Sequence, residues 1–74
     1  MNKQRRNAIK NVISDMTQVI GLLNDILSDE EESFENMPEG LQQSENGIAS
    51  EEAQEVLNDA ISALEDVVEC LSEI

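Results

Sequence analysis

The sequence contains no histidine and only one cysteine, Cys70. A Cys–His nucleophile pair and a metal site with histidine ligands are therefore excluded for this chain. A single cysteine also excludes a disulfide within the chain, which is the usual staple of small secreted domains. We expect Cys70 to be a reduced, small apolar residue, and we expect a cytoplasmic protein.

Basic residues are scarce, and all four lie within the first ten positions: Lys3, Arg5, Arg6 and Lys10. Seventeen acidic residues oppose them and give a formal net charge of −13. Fifteen of these acids, and no base, lie in residues 29–74. Such a surface repels nucleic acid and anionic membranes and attracts basic protein surfaces. We therefore predict no direct nucleic-acid or membrane contact, and a protein partner with a basic surface.

Proline and glycine are also few, with one Pro and three Gly, whereas apolar residues recur at steps of three and four. This spacing predicts an amphipathic helix over about 3–32, capped by Asn2, and a second over about 45–72. Either Ser44 or Ser50 fits the N-cap of the second helix. A corner at residues 33–44 would join the two helices. The predicted fold is all-α, a single antiparallel helical hairpin over residues 1–74.

The stretch DEEESFENMPEG at residues 29–40 runs from the end of the predicted first helix into this corner. Asn36 and Glu39 fit a capping box, which predicts a short helical turn over about 38–41. Phe34 is in phase with Ile20 and Leu27, so we expect it to close the end of the core. Acids at the end of the first helix oppose its dipole, which indicates a function for residues 29–32.

Read from Asp29, Glu30 or Glu31, these acids do not give a calcium loop, because the sixth position of the EF-hand template is Phe34, Glu35 or Asn36 and not glycine. Paired carboxylates do acid–base chemistry only inside a cleft that shifts a pKa, and a hairpin with exposed acids offers none. We therefore predict no metal, no cofactor, no catalytic residue and no enzymatic activity.

The apolar stripe of each helix is wider than one partner helix can cover. In the first helix the doubled positions are Val12 with Ile13, Val19 with Ile20, and Ile26 with Leu27. Exposed apolar patches mark contact surfaces, and two hairpins packed as a four-helix bundle would cover these. We predict a homodimer or a higher homo-oligomer.

Two charged groups are candidate binding sites. Carboxylates spaced along a helix can stand in for nucleic-acid phosphates, which predicts a partner-binding acidic surface at Glu30, Glu31, Glu32, Glu35, Glu51, Glu52, Glu55, Asp59, Asp66 and Glu69. The other reading of these acids is a solvated face that keeps the bundle soluble. In an oligomer, Lys3, Arg5, Arg6 and Lys10 could converge on a phosphate-bearing small molecule. Their other reading is pairing with Glu65, Asp66, Glu69 and Glu73 at the end of the second helix.

The start MNKQRRNAI, the corner FENMPEGLQQSENG and the helix EEAQEVLNDAISALEDVVECL resemble small acidic hairpin proteins encoded by phages and prophages of Gram-positive bacteria. The corner carries most of the resemblance, through Phe34, Asn36, Pro38, Glu39, Gln42 and Ser44. By analogy the resemblance implies an inhibitor of a host defence protein that acts in the host-cell cytoplasm. Two alternatives stay open: an oligomeric sponge for a phosphate-bearing small molecule, and a structural or assembly protein of the virion.

Overall fold

The computed structural model describes residues 1–74 and contains only helices: α1 (Lys3–Glu35), α2 (Glu39–Gln42) and α3 (Glu45–Ser72). The two long helices pack side by side in opposite directions and form a rod of 58 × 15 × 13 Å. The all-α fold and the hairpin arrangement of the two long helices are thereby confirmed. No helix combines the length and the apolar character needed to cross a bilayer.

The helix starts follow the capping chemistry of the sequence. The side chain of Asn2 accepts a hydrogen bond from the backbone N–H of Arg5 at 2.8 Å, which confirms it as the cap of α1. Ser44 caps α3, and its hydroxyl oxygen lies 3.5 Å from the backbone nitrogen of Gly47. Ser44 is therefore the N-cap, and Ser50 lies inside the helix, where it has a different role.

The helices meet along one seam whose residues alternate steps of three and four. The seam residues are Ile9, Ile13, Met16, Ile20, Leu23, Leu27, Glu30 and Phe34 in α1, and Gly47, Ser50, Gln54, Leu57, Ile61, Leu64, Val68 and Leu71 in α3. Ala60, next to Ile61, is also half-buried. An average step of 3.5 is the spacing that keeps two long helices in contact along their whole length. Only two apolar side chains of the seam, Leu27 and Ile61, are more than nine-tenths buried.

The predicted capping box at the corner is wrong. Helix α2 begins at Glu39 with Pro38 in the N-cap position and no side-chain cap, while Asn36 ends α1 with helical φ and ψ angles. An N-cap needs an extended backbone, which Asn36 does not have. Proline also disfavours helical geometry at the residue before it, so the new turn begins only after Pro38.

Two residues lock this corner. The side-chain amide of Gln42 donates to the carbonyl oxygens of Phe34 and Met37, at 3.1 and 3.2 Å, and so ties α2 to the end of α1. Gly47 packs directly on the same segment, because a Cβ atom there would lie 2.0 Å from the carbonyl oxygen of Gln42. Only glycine permits this approach. Phe34 is half-buried beside the corner, at the end of the seam where it was expected.

Candidate binding surfaces

One side of the hairpin is mainly apolar over its middle part, where Asp15 is its one charged residue. Seam residues alternate between two positions of a seven-residue repeat. In an antiparallel helix pair, the residues that come just before one of these two positions lie on the same side of the pair in both helices. Here these positions carry Val12, Val19 and Ile26 in α1 and Ala53, Ala60 and Val67 in α3. We call this surface, with its neighbours Leu22, Ala49, Val56, Ala63 and Cys70, the apolar flank.

The apolar flank collects most of the exposed apolar groups of the molecule. Seven large apolar side chains of α1 and α3 are exposed, and six of them lie on this flank, Ile48 being the exception. Leu22 and Val56 are 63% and 66% exposed. In each doubled position of α1 the outer member is exposed, whereas the inner members Ile13, Ile20 and Leu27 face α3. The prediction that one partner helix cannot cover the stripe is confirmed.

The acids of α3 lie on the other side of that helix. Glu52, Asp59 and Asp66 follow one another at intervals of seven residues, which separates them by about 10 Å along the helix. Glu51, Glu55 and Glu69 lie beside this row on the side away from the apolar flank. All six are exposed, and we call them the acidic face. The structure therefore brings together the six acids of α3 that the sequence singled out.

The four predicted partner-binding acids at and just before the corner divide into two kinds. Glu31, Glu32 and Glu35 are exposed, whereas Glu30 is half-buried in the seam. Because α1 continues to Glu35, only Glu32 and Glu35 lie in its last turn, where the helix dipole acts. The argument that residues 29–32 are unfavourably placed therefore applies in the structure to Glu32 alone.

Glu30 belongs to a polar layer that sequence reasoning missed. Its Oε2 accepts a hydrogen bond of 2.6 Å from the hydroxyl of Ser50, a buried residue, and the amide of Gln54 donates to the same hydroxyl at 3.3 Å. The spacing already indicated that Glu30 lies in the seam, since it follows Leu27 by three residues and precedes Phe34 by four. The structure thus places Glu30 inside the hairpin and not on an open binding surface.

The basic cluster, Lys3, Arg5, Arg6 and Lys10, is spread around the open end of the hairpin. Only Arg6 and Lys10 border the shallow groove of about 80 Å³ at this end, with the apolar residues Ile9, Ile13, Leu71 and Ile74. The start of α1 thus lies beside the end of α3, as expected. No lysine or arginine side chain takes part in a hydrogen bond, so the predicted pairing with the acids of α3 is not made through such bonds.

The acids and the cysteine form no group of three or more that could hold a metal ion. Cys70 is exposed on the apolar flank as a free thiol. The resemblance to phage proteins stays a prediction. Comparisons with models of protein families, with curated proteins and with solved structures found no match.

Proposed function

We propose that this chain is a non-enzymatic binding protein, a homodimeric four-helix bundle whose acidic face occupies a basic, nucleic-acid-binding surface of another protein. The observation that carries the proposal is the separation of two surfaces. The apolar flank and the acidic face lie on different sides of α3, and Glu51, Glu55 and Glu69 are turned away from the flank. Self-association through the first therefore leaves the second open to a different partner.

Electrostatics favours a basic partner. Residues 29–74 hold fifteen acids and no base, so the field around this part of the chain has one sign. The Debye length at physiological ionic strength is about 8 Å, so carboxylates spaced by about 10 Å attract mainly groups that come close to them. A lysine- and arginine-rich surface that normally binds phosphates supplies such groups, and complementary charge also speeds the encounter.

The resemblance described above adds the class of the partner. A phage protein of this kind would act in the host-cell cytoplasm on a defence nuclease or another nucleic-acid-binding protein of the host. Occupying the basic surface of that protein would exclude its nucleic acid, and no chemistry by the acidic chain would be required.

Charge reversal tests the acidic face against a control of equal charge. The variant Glu55→Lys/Glu69→Lys changes two residues of the acidic face that lie away from the apolar flank and raises the net charge by four. The control Asn11→Lys/Gln18→Lys/Asp25→Lys raises it by the same amount on the exposed outer side of α1. Proteins captured from a host lysate by the immobilised chain are compared among the three forms, and circular dichroism checks that each stays helical.

We expect the first variant to lose capture at least tenfold and the control to keep most of it. Excess duplex DNA or RNA should release the captured protein, because it competes for the same basic surface. Equal capture by both variants, or capture that neither nucleic acid displaces, would contradict the proposal.

One observation favours a second candidate, a site for a phosphate-bearing small molecule. Arg6 and Lys10 border the groove at the open end. Its volume of about 80 Å³ is well below the roughly 300–1,000 Å³ of small-molecule pockets, so one hairpin offers room for a phosphate group but not for a nucleotide. Native mass spectrometry of the purified protein would detect a retained ligand, and Arg5→Glu/Arg6→Glu should remove it.

A further inference from the structure

The hairpin exposes more surface than a compact protein of its mass. Its accessible surface is 5615 Å² for 8.2 kDa, whereas a compact chain of that mass exposes about 4,500 Å². The excess of roughly 1,100 Å² is comparable with the surface of about 800 Å² that each partner contributes to a stable interface. The exposed surface is least polar on the apolar flank. The flank is therefore the part of the molecule that a partner must cover.

We infer that the apolar flank is covered by the same flank of a second copy, with the two hairpins pointing in opposite directions about a twofold axis at Val19 and Ala60. This inference rests on the dimer of the proposed function and gives that dimer its geometry. A twofold axis perpendicular to the rods places α1 against α1 of the second copy, and α3 against α3.

The register of the hairpin fixes where such an axis can pass. The hydrogen bond between Glu30 and Ser50 places these two residues side by side. Both helices rise equally per residue, so Val19, eleven residues before Glu30, lies level with the residue eleven after Ser50, next to Ala60. Val19 is the middle residue of the α1 row of the flank, and Ala60 is the middle residue of the α3 row.

An axis at this level brings only apolar residues of the two rows together. Val12 faces Ile26 of the second copy, and Val19 faces its own counterpart. In α3 the pairing is Ala53 with Val67, a small residue against a larger one, and Ala60 with its counterpart. Small residues along α3 allow the two copies of that helix to approach closely, which increases the contact area.

Charge distinguishes this arrangement from the other twofold dimer. An axis parallel to the rods would bring the two acidic corners together at one end, where like charges repel. At the open end, the four basic residues are nearly balanced by the acids at the end of α3, so the corners decide between the two arrangements. The opposed arrangement puts the basic start of each hairpin beside the acidic corner of the other. Arg5, seven residues before Val12 on the same flank, then lies level with residue 33 of the second copy and one turn from Asp29.

Single-cysteine variants test the geometry. In a Cys70→Ala background, Ala60→Cys and Val19→Cys each place one thiol close to the axis. Asn58→Cys in the same background is the control, since Asn58 is exposed on the opposite flank of α3. Each protein is treated with diamide, which takes up the two electrons and two protons lost when two thiols join, and is then examined by non-reducing electrophoresis.

We expect Ala60→Cys and Val19→Cys to form disulfide-linked dimers when treated separately, because side chains on the axis meet within the Cβ separation of about 4 Å that a disulfide needs. Asn58→Cys should remain largely monomeric in the gel. Sedimentation at micromolar concentration, before oxidation, should show that all three variants are dimers.

Other outcomes separate the inference from the proposed function. Cross-linking only in a mixture of the Val19→Cys and Ala60→Cys chains would show the parallel-axis dimer, which overturns the geometry but keeps a dimer. Sedimentation as a dimer with no cross-link at either position would show that the apolar flank is not the interface. A folded monomer at micromolar concentration would end both the geometry and the dimer, while the charge-reversal variants still report separately on the acidic face.

Discussion

Helix α1 has two flanks, the apolar flank and a polar flank that carries Thr17 and Asn24, and their side chains interact with different surroundings. On the polar flank, the hydroxyl of Thr17 donates to the carbonyl oxygen of Ile13 at 2.8 Å, and the amide of Asn24 donates to that of Ile20 at 3.1 Å. Those groups need only their own helix and water. On the apolar flank, Val19 and Ile26 are about half exposed and have no such option, because only another apolar surface removes them from water.

This difference shows which surface of a small hairpin gains stability from a partner. A chain of 74 residues buries too little surface to be robust alone, and here just four residues are buried in the isolated hairpin. The polar flank and the acidic face would be unchanged by dimerisation, whereas the apolar flank would gain most of its burial from it.

Placing a charge on each flank should produce the largest contrast. Val19→Glu would put two carboxylates near the dimer axis, out of water and without partners, at a cost of roughly 3 kcal/mol or more, which is over a hundredfold in the dimer dissociation constant. Thr17→Glu adds the same charge two residues away on the polar flank and should leave the dimer intact. Analytical ultracentrifugation over a concentration series measures both constants. Equal dissociation constants for the two variants would mean that the apolar flank stays in water.

Two glycines sharpen the contrast between packed and open positions. At Gly47 a Cβ atom would lie 2.0–2.6 Å from backbone atoms of Gln42, whereas at Gly21, on the exposed polar side, it would meet nothing within 4 Å. We expect Gly47→Ala to lower the free energy of unfolding by about 2–3 kcal/mol, through overpacking against the rigid backbone of the corner. Gly21→Ala should raise it by about 1 kcal/mol, because alanine is the better helix former.

Urea denaturation of both variants at one fixed protein concentration measures these changes, since the stability of a dimer depends on concentration. A Gly47→Ala protein as stable as the parent chain would show that α2 is free to move away from α3.

The sequence was sufficient for the fold because its periodicity is nearly unbroken. Helix α3 ends where the spacing of apolar residues indicated, and Asn2 caps α1 as its position predicted. The spacing left the start of α3 open between Ser44 and Ser50, and α1 runs three residues beyond its predicted end at residue 32. The doubled apolar positions of α1 also predicted that apolar side chains would remain exposed, as they do on the apolar flank. Such patterns are local, so one sequence contains all the information they need.

The corner could not be predicted in the same way. Asn36 and Glu39 match a capping box in spacing, but the backbone at Asn36 is still helical, and that is a consequence of how far α1 continues. The close contact of Gly47 with Gln42 depends on the path of the whole corner, which leaves no periodic trace in the sequence. Glu30 was also placed with the exposed acids, because every acid was treated as a surface residue. The spacing of Glu30 from Leu27 and Phe34, which puts it in the seam, was not considered.

The polar layer in the seam offers the smallest of these contrasts. Ser50→Ala removes the hydroxyl that bonds Glu30 at 2.6 Å and leaves a half-buried carboxylate without that partner. We expect a loss of about 1–2 kcal/mol in urea denaturation, because an unsatisfied polar group retains its desolvation cost.

The double variant Glu30→Leu/Ser50→Ala separates that cost from simple loss of a contact. It replaces both partners with apolar residues at seam positions and should recover the stability that Ser50→Ala loses, or exceed that of the parent chain. Sedimentation should show an unchanged dimer for both variants, since the seam faces neither flank. A double variant less stable than Ser50→Ala alone would mean that Glu30 stabilises the hairpin through groups other than Ser50. In that case the polar layer, and not only the apolar residues, would hold the two helices together near the corner.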